Sequence, residues 1–456
     1  MVRISSNYMV RRYQNDLNAL DQTKSKLMEQ GDGSKLHRPS DNSVDYSRFL
    51  RYDVSEGEND RYQSSVQAGL SWMNSTQTSL SAMEDIQKTF KAKTIQGAND
   101  DKDEKSSDWP AIAREMKANI EQIVSLGNTQ LGDRYIFSGQ ADLKQPFTMS
   151  SEADLKKRGV TKTLDDRQTA FFTSASDNDS ADFLHQMLSL EGSDGNTYYM
   201  NTLTGNVYTK EFVQEGYKDL IAKGYKTEAE AIAAGETTFV GNVAGVTKGS
   251  GFIKDNFKNT GELSTAAGKG ENWSNTAAVA GVTLKFSYVR QQIVTYQGDM
   301  RYISMVKQNG STEPSADTVN KTGLDIFGRD LFDDKNSGYA DTPSGTAMVN
   351  NMLTVYAKTK ACDAHWLSSD GVSLADAANQ VTLQAHTETG SRSGLYTDMK
   401  NILTDHKENI TRDITTATGT DVAELATKMM QQQTIMSMSL SMGARILPLS
   451  LVDYLR

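Results

Sequence analysis

The chain has 456 residues and a formal net charge of −10, enough for two or three domains and too acidic overall for a nucleic-acid binder. Cys362 is its only cysteine, which excludes an intramolecular disulfide. The opening Met1-Val2-Arg3-Ile4-Ser5-Ser6 lacks the apolar core of a secretory signal, and no run approaches the roughly 18 apolar residues of a membrane helix. These features predict a protein without membrane insertion, either cytoplasmic or exported without a cleaved signal.

In chain order, residues 4–30 read as a helix. Val10, Tyr13, Leu17, Leu20 and Leu27 recur at steps of three and four, with Lys24 in one seam position. Gly31-Asp32-Gly33 ends it. Arg38-Pro39-Ser40-Asp41-Asn42 then supplies a stop and an N-cap for a second helix, expected from Asp41 to about Gln96. At 1.5 Å per residue that helix is a rod of roughly 80 Å, with a seam through Val66, Gly69, Met73, Thr76, Leu80, Met83 and Phe90 and a possible bend at Gly57. After the charged run 99–108, Pro110 opens another helix, with Ile112, Met116, Ile120, Ile123 and Leu126 on its apolar stripe. Gly132 to Gly139 encloses a short strand.

From about Phe147 to Val289 the periodicity is lost, and Gly, Thr and Asn become dense. Strands are expected at Thr197–Tyr199, Thr238–Val240 and Val282–Val289, and helices at Lys210–Ala222 and Glu228–Ala234. Ile293–Tyr296 and Arg301–Val306, separated by Gln297-Gly298-Asp299, read as a hairpin. A helix follows at Thr346–Trp366, then another from Leu374 to Thr415 with Leu395, Met399, Ile402, His406 and Ile410 on its apolar face. Thr420 or Asp421 caps a last helix whose stripe is Val422, Leu425, Met429 and Met436.

The plan is palindromic. The fold class is α+β: a long coiled-coil helical domain made by paired N- and C-terminal segments, short β-hairpins and an inserted mainly-β domain. The boundaries are 1–40 with 416–456 for the terminal coiled coil, 41–147 with 291–415 for the long-helix rod, and 148–290 for the insert. The chain closes on Leu447 to Arg456, a strongly apolar tip. Leu449, Leu451 and Leu455 there fit axial packing in an assembly, ordinary intramolecular packing or a membrane surface. Nearby cations are too few for the last to lead. The two terminal seams and this tip are the candidate self-assembly and partner contacts. The methionines at 429, 430, 436, 438 and 442 suit an adaptable surface, or plain core filling.

Several strings resemble the flagellin superfamily. At the N-terminus these are Met1-Val2-Arg3-Ile4-Ser5 and Arg38-Pro39-Ser40-Asp41. Gly132-Asp133-Arg134-Tyr135-Ile136-Phe137-Ser138-Gly139, Tyr296-Gln297-Gly298-Asp299, Asp325-Ile326-Phe327 and Leu449-Ser450-Leu451-Val452-Asp453-Tyr454-Leu455 are similar to its hook–filament junction branch, the hook-associated protein 3 family. The resemblance covers 1–147 and 291–456 but not the insert. The methionine-rich last helix and Arg456 depart from the pattern. The resemblance implies an extracellular structural protein of the bacterial flagellum, exported without signal cleavage through the flagellar type III channel. It implies a homo-oligomer in a helical ring layer, joining the first hook-associated protein to flagellin, with a cytoplasmic chaperone at the C-terminal helix. A filament-forming flagellin is the alternative.

Catalytic signals are poor, and no cofactor is expected. The five histidines are scattered. Cys362 and His365 are two ligands without a second pair. Gly249-Ser250-Gly251 lacks the frame of a phosphate loop, and Asp100, Asp101, Asp103 and Glu104 read as a solvated loop sooner than a calcium site. Tyr198, Tyr199 and Tyr208 with Trp273 are compatible with a carbohydrate-binding face on the insert, which would make the chain a ligand-binding surface protein, or with core aromatics of an ordinary β domain.

Overall fold

The computed structural model describes residues 6–99, 108–173, 185–243, 246, 272–273, 281–305, 318–334 and 344–446. The chain is α+β, with long terminal helices and a central β region. Its helices are α1 (Ser6–Glu29), α2 (Ser43–Asn99), α3 (Asp108–Gly127), α4 (Asp166–Phe172), α5 (Tyr217–Ala222), α6 (Glu228–Ala233), α7 (Gly323–Phe327), α8 (Ala347–Lys360), α9 (Ala364–Trp366), α10 (Val372–Thr418) and α11 (Val422–Ile446). Two compact units are present: Met1–Gln67 with Asp398–Arg456, the terminal unit, and Ala68–Thr397, the central unit.

In the terminal unit, α1 gives way to a tight turn at Gln30–Asp32, closed by Gly33 at φ +95°, a conformation that costs a side-chain-bearing residue. The turn is stitched to the other end of the chain. Lys35 N donates to the Thr418 carbonyl at 2.7 Å, and Thr420 N donates to the Gly33 carbonyl at 3.0 Å. The Asp41 carboxylate accepts from the amides of His37 and Arg38. Asn42, rather than Ser40 or Asp41, caps α2, its side-chain oxygen accepting from Val44 N and Asp45 N. Asp421 caps α11 through the amides of Ala423 and Glu424. Further along, Asn59 of α2 donates to the Leu403 carbonyl of α10 at 3.0 Å.

The central unit is organised on the remaining turns of α2 and α10, with α3 and α8. Val66 of the expected α2 seam falls at the edge of the terminal unit; Gly69, Met73, Thr76, Leu80, Met83 and Phe90 are buried in the central one. Gly69 is required by packing: a Cβ there would lie 2.6 Å from the Tyr396 ring. The phase expected for α10 is corrected. Leu395 and Ile402 are exposed and His406 faces solvent, while Tyr396 and Leu403 are buried in their place; of the expected face, Ile410 is buried and Met399 half-buried. Adjacent apolar pairs, Leu395-Tyr396 and Ile402-Leu403, fit either phase, and the hole above Gly69 selects Tyr396. The helix expected at Thr346–Trp366 is interrupted at Ala361–Asp363, where Cys362 takes φ +56°.

Three of the family-like strings meet in one buried knot. β1 (Gln130–Leu131) pairs with β2 (Arg134–Tyr135) across a turn at Gly132, φ +67°. The Tyr296 hydroxyl reaches the carbonyls of Phe137, at 3.0 Å, and Asp299, at 2.6 Å. Asp299 accepts from Gln140 N at 2.7 Å, and Gly139, φ +69°, lies against it with no room for a Cβ. Phe147 packs on Phe327 and Tyr296, with ring centroids 4.7 and 5.5 Å away. Thr322 and Asp325 cap α7 reciprocally, and Tyr302 donates to Asp325 at 2.8 Å.

Of the strands, β3 (Phe147–Met149), β13 (Val294–Tyr296), β15 (Ser344–Thr346) and β14 (Arg329–Asp334) form an antiparallel sheet in the order β14-β15-β13-β3. The expected hairpin between 293–296 and 301–306 does not form. Both edges of β13 are taken, by β3 and β15. Among the described residues, the only β-type pairing of 301–305 is a bridge from Ser304 to Thr318; Val306 lies outside them. β4 (Lys156–Gly159) pairs with β12 (Tyr288–Gln291). The larger sheet holds β5 (Thr161–Thr163), β6 (Gln186–Gly192), β7 (Thr197–Asn201), β8 (Asn206–Thr209), β9 (Gly241–Asn242), β10 (Asn272–Trp273) and β11 (Leu284–Phe286), in the path β10-β11-β6-β7-β8-β9 with β5 also on β6. The strand expected at Thr238–Val240 forms instead at Gly241–Asn242. Lys210–Ala222 is helical, with a π-helical stretch at Phe212–Gly216.

Candidate assembly surface

The terminal unit consists of amphipathic helices, and its interior is thin. Leu36, Val66, Leu403, Ile410 and Leu425 are its buried apolar side chains among the described residues. More large apolar side chains are exposed there: Tyr8, Met9 and Met28 on α1, Val44, Leu50 and Val54 on α2, Ile402 on α10, and Val422, Met429, Met430, Ile435, Met438, Leu440 and Met442 on α11. The central unit, with more than twice as many described residues, exposes fewer. Exposed apolar surface concentrated on one part of a chain marks a contact surface.

α1 and α11 pack antiparallel. The Tyr13 hydroxyl donates to the Ser439 carbonyl at 2.9 Å, and Gln432 Nε2 donates to the Leu20 carbonyl at 2.8 Å. Val10, Tyr13, Leu17, Leu20 and Leu27 are all half-buried on α1, and Lys24 is exposed. On α11 the seam runs Leu425, Gln432, Met436, Ser439 and Gly443. Val422 and Met429 stay exposed, at 73% and 36%. Gln432, Ser439 and Gly443 went unread in the sequence because an apolar search skips polar and small residues. Gly443 sits beneath the Tyr13 hydroxyl, where a Cβ would collide. Leu449, Leu451 and Leu455 lie outside the described residues.

At the end of the pair, the turn after α1 and the start of α11 enclose a polar cavity of about 240 Å³, lined by Lys35, Asp41, Asp421, Glu424 and Lys428 over Leu36 and Leu425. Its charges are engaged locally: Lys428 pairs with Glu424 at 2.7 Å, and the two aspartates hold backbone amides. Beside it, the His37 ring and the Asp32 carboxylate are 2.8 Å apart. That hydrogen bond raises the histidine above, and lowers the aspartate below, its ordinary value.

The aromatic face suggested for the insert is corrected. Tyr199 and Tyr208 are core residues, their hydroxyls donating to Asp370 at 2.8 Å and Glu228 at 2.7 Å, and burial pushes both phenols up. Tyr198 is buried too and donates to Asp194. The Trp273 side chain lies outside the described residues. No group of three or more His, Cys, Asp or Glu among the described residues could hold a metal ion, and no described helix is long and apolar enough to cross a membrane.

Among the described residues, the paired terminal helices have few buried apolar side chains and exposed apolar flanks, the mark of a contact surface. Residues 4–142 match the family model of the bacterial flagellin N-terminal helical region. No curated protein matches the chain. Among solved structures, the chain is similar to a protein assigned as a flagellar hook-associated protein from Vibrio parahaemolyticus, at 12% identity and a TM-score of 0.40, over 83% of this chain and 99% of that one. It is similar to the flagellar hook-associated protein 3 of Legionella pneumophila, at 12% identity and a TM-score of 0.37, over 80% and 98%. A third similar structure is FlgL of Xanthomonas campestris, at 12% identity and a TM-score of 0.35, over 80% and 99%.

Proposed function

We propose that the chain is a non-enzymatic structural subunit of the bacterial flagellum that forms a layer between hook and filament. The observation that carries this reading is a flagellin-type N-terminal region whose first helix packs on the chain's own last helix, with apolar flanks exposed among the described residues. A head-to-tail contact whose rotation does not close generates a helical assembly. Covering one of the exposed Met or Leu side chains contributes about 1.5–3 kcal/mol. Association itself costs about 4–15 kcal/mol, so several such contacts per neighbour are needed to drive assembly.

In this reading 1–40 and 416–456 form the inner tube, 41–147 and 291–415 the rod around it, and 148–290 the outer part. The half-buried α1 residues Val10, Tyr13, Leu17, Leu20 and Leu27, with Leu425 and Met436, hold the pair together and share its edges with neighbours. Val422, Met429, Leu449, Leu451 and Leu455 meet other subunits. The partners are further copies, the first hook-associated protein on one side and flagellin on the other, with an export chaperone at the C-terminal helix beforehand. The location is the extracellular flagellum. A junction subunit is favoured over a filament subunit because the junction-like strings around Phe137, Tyr296 and Phe327 converge in one knot. The test is to seed hook–basal bodies carrying the first hook-associated protein with the purified chain and image them by electron microscopy. One short layer that then accepts flagellin supports the junction role; unlimited growth of this chain alone makes it a filament subunit.

A further inference from the structure

Five of the nineteen methionines fall between residues 429 and 442, all on α11. At about 100° per residue, the seam positions Leu425, Gln432, Met436, Ser439 and Gly443 share one face. Met442 and then Met438 and Met430 follow round the helix on its side away from that seam, roughly 100° to 140° from it. These three are 62%, 61% and 63% exposed. Met73, Met83, Met116, Met187, Met200 and Met348, by contrast, are fully buried in the central unit. A thioether reacts with two-electron oxidants according to its access, and the product is polar.

We propose that Met430, Met438 and Met442 form an oxidation-sensitive modification site that disables the free subunit for assembly. The proposal rests on the assembly reading above. The sulfur lone pair attacks the outer oxygen of a peroxide. With hydrogen peroxide the S–O bond forms as the O–O bond breaks, sulfur loses two electrons, and the other oxygen leaves as hydroxide, which takes the proton of the new S–OH group and departs as water. The sulfoxide places a strong hydrogen-bond acceptor on a surface that a neighbour would otherwise cover with apolar groups, where it finds no donor. None of the three sulfurs belongs to the α1–α11 seam, whose own methionine, Met436, is half-buried and so less accessible. Once assembled, the same residues are shielded, so the sensitivity belongs to the unassembled chain.

The experiment treats the full chain with hydrogen peroxide and measures sulfoxide residue by residue by peptide mass spectrometry. Seeded assembly and helicity are followed in parallel. Met430, Met438 and Met442 should oxidise at least ~10-fold faster than Met73, Met83 and Met116. Assembly should fall at least ~10-fold while helicity is retained, and methionine sulfoxide reductases should restore it. In a chain carrying M430L, M438L and M442L, assembly after a peroxide dose that mass spectrometry shows to leave Met9, Met28, Met429 and Met436 unoxidised should equal that variant's own untreated level. Oxidised wild type assembling as well as reduced, or the triple variant losing assembly to the same dose, overturns the proposal. Failure of the reduced, untreated wild type to assemble at all overturns instead the assembly reading on which it rests.

Discussion

Single residues decide most where they are buried with charge or inserted without room. Arg158 and Asp330 are fully buried side chains, paired at 2.9 and 3.2 Å, and the guanidinium also donates to Asn351 and Thr354. Removing one partner strands the other charge, so Asp330→Ala should cost about 3–5 kcal/mol, read as a lower urea midpoint of the full chain. At the turn after α1, the sign of the pH effect follows from the His37–Asp32 pair. The histidine's raised value makes its contribution full below its ordinary 6.5 and lost as pH rises through the folded value. The aspartate's lowered value makes its contribution full above its ordinary 3.8 and lost as pH falls through the folded value. Amide exchange of residues 33–41, corrected for intrinsic rate, should therefore be slowest between these two ordinary values and speed up as pH rises through the histidine's raised folded value. His37→Gln should flatten the alkaline side; an unchanged profile in that variant would remove the pair from the account.

Among elements, the pairing of α1 with α11 depends on a register set by one large and one small residue. Tyr13 lies over Gly443, so Gly443→Val should push the helices apart and expose the pair to proteolysis. Tyr13→Phe should cost only about 0.5–1.5 kcal/mol, the worth of one hydrogen bond. If Gly443→Val leaves protease resistance unchanged, the register argument is wrong. The same elements show what was legible. The long helices could be read because their apolar steps persist over many turns: every predicted α2 seam position from Val66 to Phe90 is buried. The phase of α10 could not, because neighbouring apolar residues fit two faces and only the hole above Gly69 chooses between them. The hairpin at 293–306 failed because strand propensity says nothing about which edges are already occupied. On α11 Leu425 and Met436 could be read, but Val422 and Met429, expected on the same stripe, are exposed, and the polar and small seam members Gln432, Ser439 and Gly443 are visible only once Tyr13 and Leu20 are placed against them.

For the whole molecule, the two units differ in kind. The central unit holds nearly all the buried apolar side chains and several satisfied polar clusters. The terminal unit has five buried apolar residues among the described ones and a larger set of exposed ones. Local stability follows the density of buried contacts, so the terminal helices of the free chain should open far more readily than α3 or α8. The most direct test is amide hydrogen exchange of α1 and α11 in the free chain and in the seeded assembly. The account predicts weak protection of both helices in the free chain and at least ~100-fold slower exchange after assembly, with α3 and α8 unchanged. Equal, strong protection of α1 and α11 in the free chain, with no gain on assembly, would contradict it: the terminal unit would then be complete without neighbours.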